Sequence, residues 1–266
     1  MSSTRVRHQA GAQASSQSGE RNDQAPLRGG TGGPGTAPFE VDMRRPIVPQ
    51  VGLLGRRYSE WLEQPILDRE PLRMFANPFL EFFSKTPWWT VPLLWLPLSG
   101  WSLWWAAAQQ HTPAAAFAPL LALGLLAWTL LEYVLHRFVF HTRPTRPLGI
   151  TLHYSLHGCH HKQPGDRLRL VFPPLFAAPL VAFFWHACRA AVGGHQGGGA
   201  VLFAGMLLGY IYYDVSHYAM HSPGPAVAWL RRARRVHLAH HFVDAGRSFG
   251  VSSDLMDRLM GTRPAV

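Results

Sequence analysis

Fifteen histidines occur in 266 residues, and ten of them fall into four tight groups. His136 and His141 form H-x4-H, and His157, His160 and His161 form H-x2-H-H. His217 and His221 form H-x3-H, and His237, His240 and His241 repeat H-x2-H-H. Residues three and four apart share one helix face, so three of the groups aim their imidazoles in one direction. The spacing of His136 and His141 does not fit one face, and it requires a helix end or break between them. Imidazole is the commonest metal ligand near neutral pH. Ten such ligands are more than one ion can use, and they suit two. A nitrogen-only set accommodates iron, zinc, copper or nickel. Zinc is redox-inert and would imply hydrolysis or a structural site, whereas iron would imply oxygen activation.

Four apolar stretches must position these groups. Residues 88–108 hold no charge, 113–135 only Glu132, 170–192 only His186 and Arg189, and 199–216 only Asp214. Each is near the roughly 20 residues that cross a hydrocarbon core as a helix. Their internal prolines are tolerated in membrane helices. The expected fold is therefore an all-α integral membrane protein. It has four transmembrane helices in two hairpins, with a cytosolic helical cap carrying a dimetal histidine site. Residues 1–38 are rich in Gly, Ser, Gln and Ala and read as a disordered tail. Residues 39–87 are amphipathic and aromatic, and they read as an interfacial or cytosolic segment ahead of the membrane domain, 88–266.

Charge supplies the orientation. Lys and Arg exceed Asp and Glu by ten, and 24 of the 25 basic residues fall on one side of the four stretches. The positive-inside rule makes that side cytoplasmic. Both termini and all four histidine groups then share the cytosolic face. With 15% charged residues against about a quarter in soluble domains, the composition disfavours an ordinary soluble enzyme. Nucleic acid is a poor partner, because the arginines are split among segments with a membrane between them. Two cysteines are too few for a disulfide scaffold. A site at the ends of membrane helices suits a lipid chain whose C–H bonds need an oxidant.

The carboxylates inside the stretches point the same way, since intramembrane ionisable groups are usually functional or paired. Glu132 precedes His136 by four residues and Asp214 precedes His217 by three. Their expected job is to accept the free imidazole N–H and fix the tautomer. Tyr210 and Tyr213 stand ready to extend that network. His153 and Tyr154 lie outside the ligand spacing, and Cys159 reads as filler. The run Arg231, Arg232, Arg234 and Arg235 reads as a solvated face at lipid headgroups or a dock for an acidic electron carrier.

These segments resemble the membrane-bound histidine-box desaturase and hydroxylase superfamily, and within it the fatty acid 2-hydroxylases. The residues that carry the resemblance are 132–141 (EYVLHRFVFH), 157–161 (HGCHH), 166–174 (DRLRLVFPP), 209–221 (GYIYYDVSHYAMH), 237–241, Phe249-Gly250-Val251 and 257–262 (DRLMGT). Residues 39–65 are similar to the start of the plant-type members. The resemblance implies that all ten grouped histidines hold two metal ions, iron for the chemistry, with zinc able to occupy the same site. It implies that Tyr213 and Asp214 support the reaction. It further implies O2-dependent hydroxylation of carbon 2 of a long acyl chain, free or in ceramide, at the endoplasmic reticulum membrane. No HPGG haem motif of a fused cytochrome b5 occurs in the sequence. Electrons are thus expected from a separate cytochrome b5 and its reductase. A desaturase or sterol oxidase of the same superfamily is the alternative reading.

Overall fold

The structure is a computed structural model in which residues 39–264 are described, except 194 and 224–226. The tail expected over 1–38 lies outside the described residues. Among the described residues, all regular structure is helical.

The amphipathic segment folds into short elements: α1 (Val48–Val51), a 3₁₀ turn (Gly52–Arg57), α2 (Tyr58–Leu62) and α3 (Pro78–Phe83). Asn77 starts α3, its side chain accepting the N–H groups of Phe79 and Leu80, with Pro78 at the first helical position. Ile47, Val51, Leu54, Tyr58 and Met74 bury a small core together with Ile150 and Tyr154 from farther along the chain. Fully burying an aliphatic side chain contributes about 1.5–3 kcal/mol. This segment is thereby fastened to the histidine-bearing region.

The apolar stretches form α4 (Thr90–Ala108), α5 (Ala114–Leu135), α8 (Pro174–Ala191) and α9 (Gln196–His221). Between α5 and α8 lie α6 (Pro147–His153) and α7 (Cys159–Lys162). After α9 come α10 (Ala228–Phe242) and α11 (Leu255–Leu259). Among the described residues, three helices are long and apolar enough to cross a membrane: α5 with its extension to Phe140, α8 and α9. The 19-residue α4 is free of charge and rich in tryptophan.

The third stretch differs from expectation at its start. The helix begins at Pro174 rather than at residue 170. Phe172 precedes Pro173, which disfavours helical backbone, and Pro174 then occupies the first helical position. The fourth stretch is longer than expected. It runs from Gln196 to His221, so it carries His217 and His221 on its own last turns.

Helix α9 is the common partner of α4, α5 and α8. Lipid tails are as apolar as leucine, so close backbone approach rather than hydrophobic burial drives such packing. Gly124 of α5 and Gly205 of α9 provide it. A methyl group at Gly124 would overlap the Leu202 carbonyl, and one at Gly205 would stand 2.5 Å from the Leu121 carbonyl oxygen. Ser102 of α4 donates its hydroxyl to the Ala200 carbonyl at 2.8 Å, which satisfies a polar group where no water is available.

Candidate dimetal centre

The break required between His136 and His141 is a π-helical turn, His136–Phe140, at the end of α5. Its i→i+5 hydrogen bond runs from the His141 N–H to the His136 carbonyl at 3.1 Å. One extra residue in the turn brings the two imidazoles together, with Nε2 atoms 3.2 Å apart. A second π-helical turn, Tyr154–Gly158, joins α6 to α7 and carries His157. Such turns occur often at functional sites. His217 and His221 end α9. His237, His240 and His241 are buried on the inner side of α10, while Arg232 and Arg235 on the same helix are exposed.

Nine of the ten histidines converge in two sets. His160, His217, His221, His237 and His241 form one, and His136, His141, His161 and His240 form the other. Within each set the candidate ligand atoms lie within 4.8 Å of one another. The neighbours His160 and His161 divide between the sets, and so do His240 and His241. Nε2 atoms approach to 2.8 Å between His221 and His237, 3.1 Å between His241 and His237, and 3.0 Å between His240 and His141. Nitrogens each about 2.0–2.1 Å from a shared ion stand roughly 3 Å apart, which is this spacing. His157 is the tenth. It stands beside the second set, its ring 5.0 Å from that of His136 and 4.6 Å from that of His161, but outside the converging nitrogens.

Tautomers follow from the partners of the other ring nitrogen. A carbonyl oxygen only accepts, so the nitrogen facing it must carry the proton. Nδ1–H of His136 donates to the Phe249 carbonyl at 2.6 Å, that of His217 to Leu170 at 2.9 Å and that of His240 to Arg247 at 2.6 Å. Each Nε2 is then a bare lone pair. The bare Nε2 atoms of His136 and His240 both face His141, a favourable arrangement when a cation sits between them. Both ring nitrogens of His160, Nε2 of His157 and His161, and Nδ1 of His241 are buried without a hydrogen bond. Buried polar atoms are rarely left so, and a metal ion would satisfy one ring nitrogen of each histidine in the two sets. Burial, reinforced by neighbouring imidazoles, holds His157, His160, His161, His237 and His241 well below the ordinary histidine range. They are neutral at physiological pH, the form that binds metal.

The sequence pattern of the fatty acid hydroxylase family matches residues 121–262, which spans all four histidine groups. The chain belongs to the fatty acid hydroxylase family. It is 42% identical over 226 residues to the dihydroceramide fatty acyl 2-hydroxylase FAH1 of Arabidopsis thaliana, covering 85% of this chain and 94% of that one. It is 39% identical over 242 residues to the fatty acid 2-hydroxylase of Rattus norvegicus, covering 84% of this chain and 64% of the rat protein. A solved structure described as full-length scs7p, with only the hydroxylase domain visible, superposes with a TM-score of 0.77 at 32% identity. That match covers 85% of this chain and 86% of the other. This chain is thus a membrane-embedded enzyme with a histidine cluster able to hold metal.

The carboxylates of this hydroxylase do not meet imidazoles, contrary to expectation. Glu132 Oε1 accepts the backbone N–H groups of Val251 and Ser252 at 2.5 and 2.8 Å. Asp214 accepts the Phe172 N–H at 3.3 Å. Each acid therefore ties down the segment whose carbonyl, Phe249 or Leu170, orients a histidine. Backbone N–H groups of a non-helical segment beside apolar helices need acceptors, and the intramembrane acids supply them. Asp257, which spacing alone did not single out, does the same for the N–H groups of Phe249 and Gly250, at 2.9 and 2.8 Å. Tyr213 stacks nearly parallel on the His217 ring, with centroids 5.8 Å apart.

His153 also has a positioning task. Its Nε2–H donates to the Phe140 carbonyl in the first π-helical turn at 2.7 Å, and its Nδ1 accepts the Tyr58 hydroxyl at 2.7 Å. It thus links the N-terminal segment to the turn that separates His136 from His141.

A cavity of about 420 Å3 adjoins the centre. His136, His157, His160 and His217 line one part, and Trp128, Leu131, Leu180, Phe184 and Phe203 line the rest. From His217 to Phe203 along α9 it runs roughly 21 Å. That length and its apolar walls fit an extended hydrocarbon chain.

Proposed function

We propose that this protein is a fatty acid 2-hydroxylase that places a hydroxyl on carbon 2 of a long acyl chain for 2-hydroxy sphingolipids. The observation that carries this reading is the pairing of two converging histidine sets with a deep apolar cavity opening beneath them. The relatives named as dihydroceramide fatty acyl and fatty acid 2-hydroxylases support it. A carbon–hydrogen bond has no polarity for a hydrolytic site to exploit, so an oxidant must reach it.

All ten grouped histidines are assigned to two metal ions, with His157 completing the set of His136, His141, His161 and His240. Iron, when bound, supplies the O2 and one-electron chemistry that carbon–hydrogen oxidation needs, while zinc fits the same donors without that capacity. The balance is one O2, two electrons and two protons in, and one alcohol and one water out. The protein's own share is orientation. The cavity walls hold the chain extended, Tyr213 and Asp214 support His217 and the 170–173 segment, and the apolar lining keeps bulk water away.

The four apolar helices are read as transmembrane hairpins in the endoplasmic reticulum membrane, with termini and metal site cytosolic. The distribution of Lys and Arg supports that orientation. Electrons are assigned to a separate cytochrome b5 and its reductase, and exposed Arg232 and Arg235 on α10 offer an acidic carrier a surface close to His237. The test is the sphingolipid profile of 2-hydroxylase-deficient cells expressing this chain, with and without cytochrome b5. Restored 2-hydroxy lipids are expected. Stable membrane expression with bound metal and no such product would reject the reading in favour of a related desaturase or sterol oxidase.

A further inference from the structure

The deep end of the cavity is built differently from its walls. Helices α5 and α8 flank it where they pack on α9, and Leu131, Leu180, Val181, Met206 and Leu207 line its length. On α9 the lining runs from His217 down to Phe203. On α8 it stops at Phe184 and on α5 at Trp128, and among the described residues none deeper in these helices lines it. Phe203 is thus the lining residue of α9 farthest from the histidines, and it is 2% exposed.

What stands behind Phe203 makes it a stop. Its ring meets that of Trp185 edge-on, with centroids 5.3 Å apart. Trp185 in turn packs on Trp101 at 5.4 Å and on Trp105 at 5.7 Å, and the Arg189 guanidinium lies over Trp185 and Trp105. In the preceding turn of α9, Ala200 and Val201 are fully buried. A methionine or leucine would yield to an intruding chain, but interlocked rings in a close-packed interior cannot. The reacting carbon must lie at the histidine end, so the methyl end of an acyl chain points at Phe203. Bilayer lipid is as apolar as this cavity, so burial by itself selects no chain length, whereas a rigid wall does. An extended carbon chain advances about 1.2 Å per bond, one third of the span of an extended residue with its three bonds. The roughly 21 Å between His217 and Phe203 along α9 therefore holds about 17 bonds.

We propose that Phe203 determines the specificity for acyl-chain length, its ring ending the cavity where the methyl end of the chain arrives. Chains that fit above it seat with one carbon under the histidines. Chains that overrun it must buckle or withdraw that carbon from the centre. The assignment rests on the hydroxylase reading and deepens it, and its test separates the two.

The full chain in nanodiscs, loaded with metal, is titrated with N-acyl sphinganines of graded saturated acyl length. Binding is read from the shift in Tm, and product from lipid mass spectrometry of cells expressing each variant. In the wild type, chains that overrun the stop are expected to bind about fivefold or more weakly than those that fit, the cost of overfilling a packed site. Phe203→Ala should move that break to longer chains in both readouts, because Trp185 is held by Trp101 and Trp105 and the space left by the ring stays open. Leu123→Ala, on the exposed side of α5 and away from the cavity, should leave the break where it is. Equal binding of all lengths by the wild type, which would mean that the chain end lies in lipid, overturns the proposal. So does an unchanged break in a folded Phe203→Ala protein. Should that variant fail to fold, the milder Phe203→Leu and the wild-type series decide. Absence of any 2-hydroxy product from the wild type at every length refutes the hydroxylase reading, whereas the break in binding reports on Phe203.

Discussion

Replacing Glu132 separates its role as an acceptor from its role as a charge. The Glu132→Ala variant leaves the buried Val251 N–H and the half-buried Ser252 N–H without partners. At about 1–3 kcal/mol for the buried group and less for the other, the loss is about 1–4 kcal/mol, a large fraction of a stability typically about 5–15 kcal/mol. The strain falls first on the 249–252 segment, so the Phe249 carbonyl leaves His136 Nδ1. Losing such an orienting partner typically lowers metal affinity about 10–100-fold. Glu132→Gln keeps an oxygen in place and is expected to cost less than tenfold. The assay is competitive metal titration against a chromophoric chelator, with metal content by mass spectrometry and Tm in detergent. Wild-type affinity in Glu132→Ala would refute the argument that this acid acts through the segment. Equal damage in both variants would show that charge, rather than the acceptor, matters.

The two histidine sets predict separate losses: His160→Ala and His240→Ala should each lower metal content from about two ions to about one and abolish product, as read by metal analysis beside lipid mass spectrometry. Gly205→Val should prevent α5 and α9 from closing and deplete folded protein, measured by size-exclusion yield. Gly100→Ala, with nothing within 4 Å of the added methyl, should raise stability by about 0.5–1 kcal/mol, seen in Tm. Burial alone would raise the pKa of Glu81, but the Phe75 N–H, Lys85, Arg169 and the Met74 N–H outweigh it and hold it below 4.5. A carboxyl whose folded pKa is lowered stabilises the fold above its unfolded value and loses that contribution as pH falls through the folded one. The Tm should therefore drop below about pH 4.5 in the wild type and drop less in Glu81→Gln.

Much of the centre was legible in the histidines, because imidazoles at i, i+3 and i+4 have few other reasons to recur at helix ends. The misfit of His136 and His141 also announced a break, though not its kind, since a π-helical turn depends on one inserted residue rather than on residue type. The division of His160 from His161, and of His240 from His241, was not readable. Adjacent helical residues diverge by about 100°, and only the packed neighbours decide which set each one faces. The carbonyls of Leu170, Arg247 and Phe249 leave no mark in a sequence, because every residue has one. That is why Glu132 and Asp214 were paired with imidazoles, when they hold the segments that bear those carbonyls. The start of α8 was obscured because Leu170, Val171 and Phe172 are as apolar as the helix that follows. Asp257 stood out only as the first residue of the 257–262 segment that carries the resemblance, because nothing in its spacing points to the backbone N–H groups it holds.

The central place of α9 governs how the protein can be made. It is the last of the four apolar helices to leave the ribosome, yet α4, α5 and α8 all pack on it. Until it arrives, the Ser102 hydroxyl lacks the Ala200 carbonyl, and Gly124 lacks its close neighbour Gly205. His141 must then wait through 99 residues of synthesis for His240. Assembly therefore waits for α9 and α10, and neither ligand set is complete until His240 and His241 have been made. An interrupted or truncated product has an open bundle and half-built ligand sets, which exposes it to membrane quality control before it can acquire metal.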